Sequence, residues 1–170
     1  MPLTLPAGHR LRRALPADAD ALAQLRYEFR AALDPTTETA AGFVERCAEW
    51  MRHQLAACGP WHAWLIERDR EVIGTIWLEL FEKLPNPIAE RERHGYITNL
   101  YVRAEARETG LGTALLAAAL AECEAGRVDA VLLWPTARSR SLYQRQGFAA
   151  AGDLLERRLA PAPRHSLDTG

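Results

Sequence analysis

The chain has 170 residues, of which 48% are hydrophobic and 25% charged, and its formal net charge is −1. This length corresponds to one domain, and the composition excludes fibrous, collagen-like and disordered classes. A nearly neutral chain without a long basic run is not expected to bind nucleic acid as its main partner. Neither a disulfide framework nor a zinc site is predicted, because the cysteines form no C-x-x-C pair. These are Cys47, Cys58 and Cys123.

The N-terminal segment lacks the apolar stretch of a secretory signal, and the longest apolar run, residues 114–121, is too short to cross a bilayer. We therefore expect a cytoplasmic protein without a membrane segment.

Hydrophobic periodicity predicts alternating strands and helices along one α/β domain, residues 1–170, with a core of about 9–159 and a mobile tail, 160–170. Strands are predicted where β-branched and aromatic residues cluster, and helices where apolar residues recur at helical spacing. The predicted order is β-α-α-β-β-β-α-β-α-β. The elements are a strand 10–15, a helix from about 16–20 to 33, a helix 39–57, strands 61–67, 71–83 and 95–102, a helix 110–125, a strand 128–134, a helix 139–146, and a last strand or strand pair 148–159.

The segment 107–113, Arg-Glu-Thr-Gly-Leu-Gly-Thr, lies between a predicted strand and a predicted helix. A helix start presents N–H groups without partners, and glycines let an anion approach them, so the segment predicts a pyrophosphate site. A Walker loop is excluded because the only lysine is Lys83, and a dinucleotide fingerprint because Leu115 stands where its third glycine belongs. A plain strand-to-helix turn remains an alternative.

Two motifs in the right order resemble the GNAT superfamily of acyl-CoA N-acyltransferases. They are R-x-x-G-x-G, which starts at Arg107 after the strand 97–102, and L-Y-x-x-x-G-F at 142–148. The resemblance covers about residues 9–159. It implies an α/β (α+β) fold with a mixed central sheet, splayed between the fourth and fifth strands and flanked by helices. It also implies acetyl-CoA as co-substrate, no metal, and direct attack by a primary amine in a ternary complex.

The resemblance assigns residues to acetyl-CoA. The loop 107–113 would hold the diphosphate, the strand edge would pair with the pantetheine arm, and an N–H near Leu100 would stabilise the oxyanion. Tyr143 would be the general acid toward the thiolate; a core tyrosine that anchors its helix is the alternative. The full cofactor set is Leu100, Tyr101, Val102, Arg107, Glu108, Thr109, Gly110, Leu111, Gly112, Thr113, Ser139 and Tyr143.

The chain departs from the family pattern at two places. Many members carry glycine at the position of Glu108, and the acid here would weaken CoA binding unless its side chain points to solvent. The asparagine that often follows the penultimate motif strand is missing, so Thr136 or Ser139 would take its place.

The general base is less clear. Tyr96 and Thr98 occupy positions where some relatives carry an acid or a histidine, but neither is a good base at neutral pH. The nearest sequence candidate is Glu79 on the long strand, ahead of Glu82, and a water chain or a purely solvent-facing Glu79 is the alternative. His62 and His94 are more often packed or solvated histidines than bases.

The acceptor, a small-molecule or peptide amine, would lie between the first two helices and the loop after the long strand. These segments offer Tyr27, Glu28, Arg30, Asp34, Trp77 and the loop 84–87. Glu28 or Asp34 would pair with a cationic amine, unless they are ordinary surface charges. A non-catalytic acyl-CoA-binding module and an acyltransferase for longer chains remain rival readings, and the sequence leaves a homodimer open.

Overall fold

The computed structural model describes residues 5–87, 92–152, 154–157 and 159. The predicted tail 160–170 lies outside the described residues. The strands are β1 His9–Arg13, β2 Trp61–Arg68, β3 Glu71–Glu82, β4 Arg93–Val102 and β5 Ala130–Leu132; the helices are α1 Ala19–Ala31, α2 Ala40–Ala56, α3 Leu111–Ala125 and α4 Arg140–Arg145, with short 3-10 turns at Pro16–Asp18 and Ala104–Ala106.

The five strands form one mixed sheet in the order β1-β2-β3-β4-β5. The first three pairings are antiparallel, and β4–β5 is parallel. β5 pairs with β4 only at His94, Gly95 and Tyr96, whereas β4 continues to Val102. The two strands therefore part along the second half of β4, and the predicted splay between the fourth and fifth strands is confirmed.

Each face of the sheet has its own core, because successive side chains of a strand point to opposite faces. In β3, Ile76 and Leu78 pack with α3, while Trp77 between them packs with α1 and α2. The α3 side also holds Ile97, Leu115 and Leu116; the other side holds Leu22, Met51 and Leu65.

A β-bulge interrupts β4 near its middle. The register with β3 shifts between Thr75 and Trp77, and Asn99 has a φ of +54°. A bulge bends the strand and re-aims its backbone groups. Here it lies where β4 has left β5, so the irregular backbone is next to the splay.

The first strand and the fifth are shorter than predicted. β1 ends at Arg13, and Leu15 stands before the 3-10 turn, where its N–H donates to the Asp18 carboxylate at 2.7 Å. The predicted strand 128–134 is reduced to Ala130–Leu132.

The predicted last strand or strand pair, 148–159, is wrong for the described residues of that segment, none of which lies in a strand. Phe148 packs against the α3-side core, but Leu154, Leu155 and Leu159 are exposed. A strand is stabilised by side chains that bury one face, and the described part of this segment has no such face.

Candidate active site

The loop before α3 is shaped by a glycine in a left-handed conformation. Gly110 has a φ of +85° and immediately precedes the helix, and a Cβ placed on it would meet no heavy atom within 4 Å. The helical ladder begins with the Ala114 N–H, which donates to the Gly110 carbonyl at 3.0 Å. The N–H groups of the first turn precede that bond and have no acceptor within the helix. Gly110 thus provides the backbone turn that begins the helix and has open space beside its own Cα, and the free N–H groups of the first helical turn are the donors that an anion site requires.

Side chains of this loop fasten it to β4. The Arg107 Nε donates to the Val102 carbonyl at 2.8 Å, and the guanidinium lies 5.6 Å from the centre of the Tyr101 ring. The Thr109 hydroxyl donates to the Ala106 carbonyl at 2.7 Å. These side chains hold the loop in place and thereby position its backbone N–H groups.

Glu108 is exposed and has a φ of +64°. A non-glycine residue in this region is strained by roughly 1–2 kcal/mol. The backbone at position 108 thus has a left-handed conformation that favours glycine. Many GNAT sequences carry glycine at this position, whereas this chain carries a glutamate.

Beyond Tyr96, the β4 edge that faces away from β3 pairs with no strand among the described residues. Leu100 and Val102 turn their side chains to the α3-side core, whereas the Tyr101 ring lies 5.5 Å from the Phe29 ring of α1. An edge of this kind presents backbone donors and acceptors to which an extended chain can bind.

Tyr143 lies on α4 and is 8% exposed. Its ring packs 5.6 Å from the Phe148 ring, and the start of α3 is adjacent, because a Cβ on Gly112 would lie 3.7 Å from Leu142. Burial, and to a smaller extent Tyr96, raises the pKa of Tyr143 to about 12. Because of this raised pKa, the Tyr143 hydroxyl keeps its proton at neutral pH. None of the described residues forms a hydrogen bond with it.

Ser139 and Thr136 close the turn that leads into α4. The Thr136 N–H donates to the Ser139 Oγ at 3.0 Å, and the two hydroxyl oxygens lie 2.9 Å apart. Both candidates for the missing asparagine are thus engaged with each other, and their joint effect is to position the helix that carries Tyr143.

Glu79 lies opposite Tyr96 in the register of β3 and β4. Residues directly opposite each other in antiparallel strands share a face, so the Glu79 carboxylate lies beside the Tyr96 side chain. Tyr96 in turn interacts electrostatically with Tyr143. Glu79 is half-buried, and its side chain forms no ion pair or hydrogen bond with the described residues. The Tyr96 ring packs edge-on against Trp134 at 5.2 Å.

Several other candidates have structural partners. Glu28 accepts two hydrogen bonds from Arg103, both at 3.0 Å, and His94 lies 3.2 Å from Glu92. His62 contacts Arg13, and burial lowers its pKa. The acceptor role expected for Trp77 is wrong, because this side chain is 1% exposed and packs with Trp50 and Trp61 in the core.

Three of the remaining acceptor candidates line a cavity of about 330 Å³ beside α1, and the loop 84–87 does not contribute to it. Tyr27, Arg30 and Asp34 contribute to its wall, together with residues of the loop 35–38. Arg30 and Asp34 form an ion pair at 3.1 Å.

Sequence reasoning missed Arg26 and Asn99. Arg26 Nη1 donates to Asn99 Oδ1 at 3.2 Å, which joins α1 to the bulge of β4. Asparagine is depleted in strands and tolerates a positive φ, so Asn99 inside an apolar strand was a usable signal of the bulge. Nothing in the sequence distinguishes Arg26 from other helix arginines.

Among the described residues there is no cluster of three or more His, Cys, Asp or Glu side chains placed to hold a metal ion. In the same part of the chain, every helix is too short or too polar to span a membrane.

Comparisons with known proteins show the family and the fold of the chain. The acetyltransferase (GNAT) family matches residues 23–148. A GCN5-related N-acetyltransferase from Ralstonia eutropha is 25% identical, with a TM-score of 0.72, over 90% of this chain and 100% of that one. A predicted acetyltransferase from Clostridium acetobutylicum, solved with acetyl-CoA, is 22% identical with a TM-score of 0.74, over 89% and 96%. No match was found among curated proteins. Because the family match spans most of the chain, and the fold agrees with it, the protein belongs to the GNAT family of acetyltransferases.

Proposed function

We propose that the protein moves the acetyl group of acetyl-CoA to a primary amine of a small molecule. The observation that carries this proposal is the half of β4 that has left β5, whose outer edge is unpaired. It runs between the Gly110 loop at one end and the Tyr96–Tyr143 pair at the other. A diphosphate on the loop and an extended pantetheine along the strand would bring the thioester toward Tyr143. The cavity beside α1, about 330 Å³, has the size of a small-molecule site.

The residues that hold acetyl-CoA would act mainly through their backbone. The N–H groups of residues 111–113 and the dipole of α3 attract the diphosphate. Leu100 and Val102 offer strand hydrogen bonds to the pantetheine amides. The Leu100 N–H, which follows the bulge at Asn99, would stabilise the oxyanion, and such a donor contributes about 3 kcal/mol to catalysis in other enzymes.

The proton transfers would divide between two side chains. The Glu79 carboxylate takes one proton from the ammonium group, directly or through water, and the free amine nitrogen then attacks the thioester carbonyl carbon. The second proton that the nitrogen loses as the amide forms passes to water. The C–S bond then breaks, and the leaving thiolate takes the proton of the Tyr143 hydroxyl. Burial keeps that phenol protonated until it is used. No covalent enzyme intermediate is required.

Acetyl-CoA binding is testable by thermal unfolding. At 100 times its dissociation constant a ligand stabilises the folded state by about 2.7 kcal/mol, a shift of very roughly 5–10 °C for a chain of this size. We expect Gly110→Val to abolish this shift, because valine at a positive φ distorts the loop and fills the space before the helix start. Gly8→Val is the matched control: Gly8 also has a positive φ, of +79°, and equally open surroundings.

Two results would count against the proposal. An equal shift in the Gly110 variant and in the control would remove the loop as the cofactor site. Acetyl-CoA binding without free CoA release in the presence of any amine would leave a non-catalytic acyl-CoA-binding module as the function.

A further inference from the structure

The cavity beside α1 is lined by two arginines, Arg26 and Arg30, and by two carboxylates, Asp34 and Glu38. Both carboxylates have cationic partners, since Asp34 pairs with Arg30 at 3.1 Å and Glu38 pairs with Arg46 at 2.6 Å. Arg26 forms no ion pair with any of the described residues. Its guanidinium is therefore the one cation of the cavity wall that has no carboxylate partner in the described part of the chain.

Arg26 is partly withdrawn from water. Burial is the main cause of a lowered pKa for its guanidinium, and Arg30 adds a smaller repulsion. The Cys47 thiol on α2 interacts with it, but burial raises the pKa of that thiol, which is therefore neutral and supplies no anion. A buried cation without a counter-ion costs free energy, so an anionic ligand would gain by binding beside it.

A second donor lies next to Arg26. The Asn99 side chain is 7% exposed and its Nδ2 has no hydrogen-bond partner among the described residues. The orientation of the amide is fixed, because its Oδ1 accepts from the Arg26 guanidinium at 3.2 Å. A buried amide donor left without an acceptor costs about 1–3 kcal/mol. An oxygen anion at this point would satisfy Arg26 and Asn99 together.

This donor pair lies beside the proposed reaction centre. Asn99 directly precedes Leu100, the residue whose N–H we assign to the oxyanion. Both lie at the bulge, in the part of β4 that no longer pairs with β5. An acceptor held by its anionic group at Arg26 would thus present an amine on a neighbouring carbon to the thioester.

We propose that Arg26, with the Asn99 amide, binds the carboxylate of a small amino acid whose amine is acetylated. The inference rests on the proposed function and specifies its substrate class. A carboxylate fits this position because its two oxygens match the donors of one guanidinium.

The test compares acceptors that differ in one group. Free CoA release is measured with each standard amino acid and with the amine made by its decarboxylation, and with β-alanine, ethanolamine and O-phosphoethanolamine as a matched set. We expect kcat/KM for the preferred carboxylate to exceed that of its decarboxylated partner at least about tenfold, since a charge-assisted hydrogen bond is lost. Binding is measured separately, as thermal stabilisation of the CoA-loaded protein by the same compounds.

Arg26→Gln should raise KM for the preferred amino acid roughly 10- to 100-fold, with a small change in kcat, and should erase the difference within each pair. Arg26→Lys should recover part of the affinity. Acetyl-CoA binding should stay as in the wild type. The midpoint of unfolding should fall, because the variant loses the hydrogen bond that Arg26 donates to Asn99 Oδ1, so KM is compared at a temperature where both proteins are folded. Arg52→Gln is the control, since Arg52 pairs with exposed Asp20 on another part of the surface.

Each outcome decides the inference. Equal kcat/KM for carboxylated and decarboxylated partners overturns it while the acetyltransferase proposal stands, and a preference for O-phosphoethanolamine over β-alanine overturns the carboxylate. If no amine is acetylated, the proposed function fails, and the binding measurement still decides. Arg26-dependent stabilisation by an amino acid then supports the site, and its absence overturns it.

Discussion

The two halves of the candidate site are built in different ways. The half assigned to acetyl-CoA consists of backbone: the start of α3 beside Gly110 and the unpaired edge of β4. The half assigned to the acceptor consists of side chains from distant parts of the sequence, as Arg26 of α1 and Asn99 of β4 show. A backbone site binds any molecule with the same phosphate and amide groups, whereas a side-chain site selects one chemical class.

Tyr143 offers the strongest test of this division, because it is a side chain in the half that otherwise acts through backbone. We expect Tyr143→Phe to lower kcat by about 100-fold or more, the usual contribution of a general acid. The thermal shift with acetyl-CoA should be unchanged, because only the hydroxyl is removed. Its pKa is raised to about 12, so the acid form is lost only as the pH rises through that value. The wild-type kcat should therefore show no alkaline decline from Tyr143 between pH 6 and about 10.

Phe148→Leu is the matched control for packing, because the Phe148 ring lies 5.6 Å from the Tyr143 ring. Phe148→Leu should lower the midpoint of unfolding and leave kcat nearly unchanged. If Tyr143→Phe instead loses stability and keeps its rate, Tyr143 is the core tyrosine of the alternative reading.

The same division explains which features could be predicted from the sequence. The Gly110 loop depends on neighbouring residues, and a local motif marks it. The splay of the sheet came from the family resemblance, and the parting of β4 from β5 confirms it. The proposed acceptor half depends on contacts between distant residues, such as Arg26 and Asn99, which are 73 positions apart, and no spacing marks such a pair.

The errors of the sequence analysis also have physical causes. Trp77 was expected at the acceptor because a tryptophan on a strand suits a pocket as well as a core, and only tertiary packing decides between them. The predicted strand in 148–159 rested on local pattern, but strands depend on a neighbour, and Leu155 remains 92% exposed. Glu28 could not be recognised as a partner of Arg103, because these residues are 75 positions apart.

Glu79 gives a smaller and pH-dependent test, on the side of the acceptor. We expect Glu79→Gln to lower kcat/KM by roughly 10- to 100-fold at pH 7, where the amine is protonated and needs a base. The defect should shrink as the pH approaches the amine pKa, since a growing fraction of the amine is then already deprotonated and does not need Glu79 before it attacks. Rates across pH 6–10 with one acceptor measure both effects.

Glu82→Gln serves as the control, because Glu82 lies on the same strand but is exposed at its end. A defect in Glu79→Gln that is the same at every pH would assign the carboxylate to acceptor binding instead of proton transfer. Equal behaviour of the two variants would leave the proton to a water chain.

Glu108 gives the smallest effect, and it concerns the one loop residue that conflicts with the backbone site. Glu108→Gly should tighten acetyl-CoA binding severalfold, because a negative charge near the diphosphate is removed. The change in unfolding free energy should stay within about 1 kcal/mol: relief of the φ of +64° is offset by the extra freedom of glycine in the unfolded chain. Calorimetric titration with acetyl-CoA measures the affinity.

Glu108→Gln separates charge from backbone, because it removes the charge and keeps the strained conformation. Equal gains in the two variants would attribute the effect to charge, and this gain should decrease at high salt, since exposed charges are screened. A gain in Glu108→Gly alone would attribute it to the loop backbone. Glu124→Gln, exposed near the other end of α3, should change nothing. If both Glu108 variants bind acetyl-CoA more weakly, the glutamate side chain itself supports the loop, and the cofactor half is not built from backbone alone.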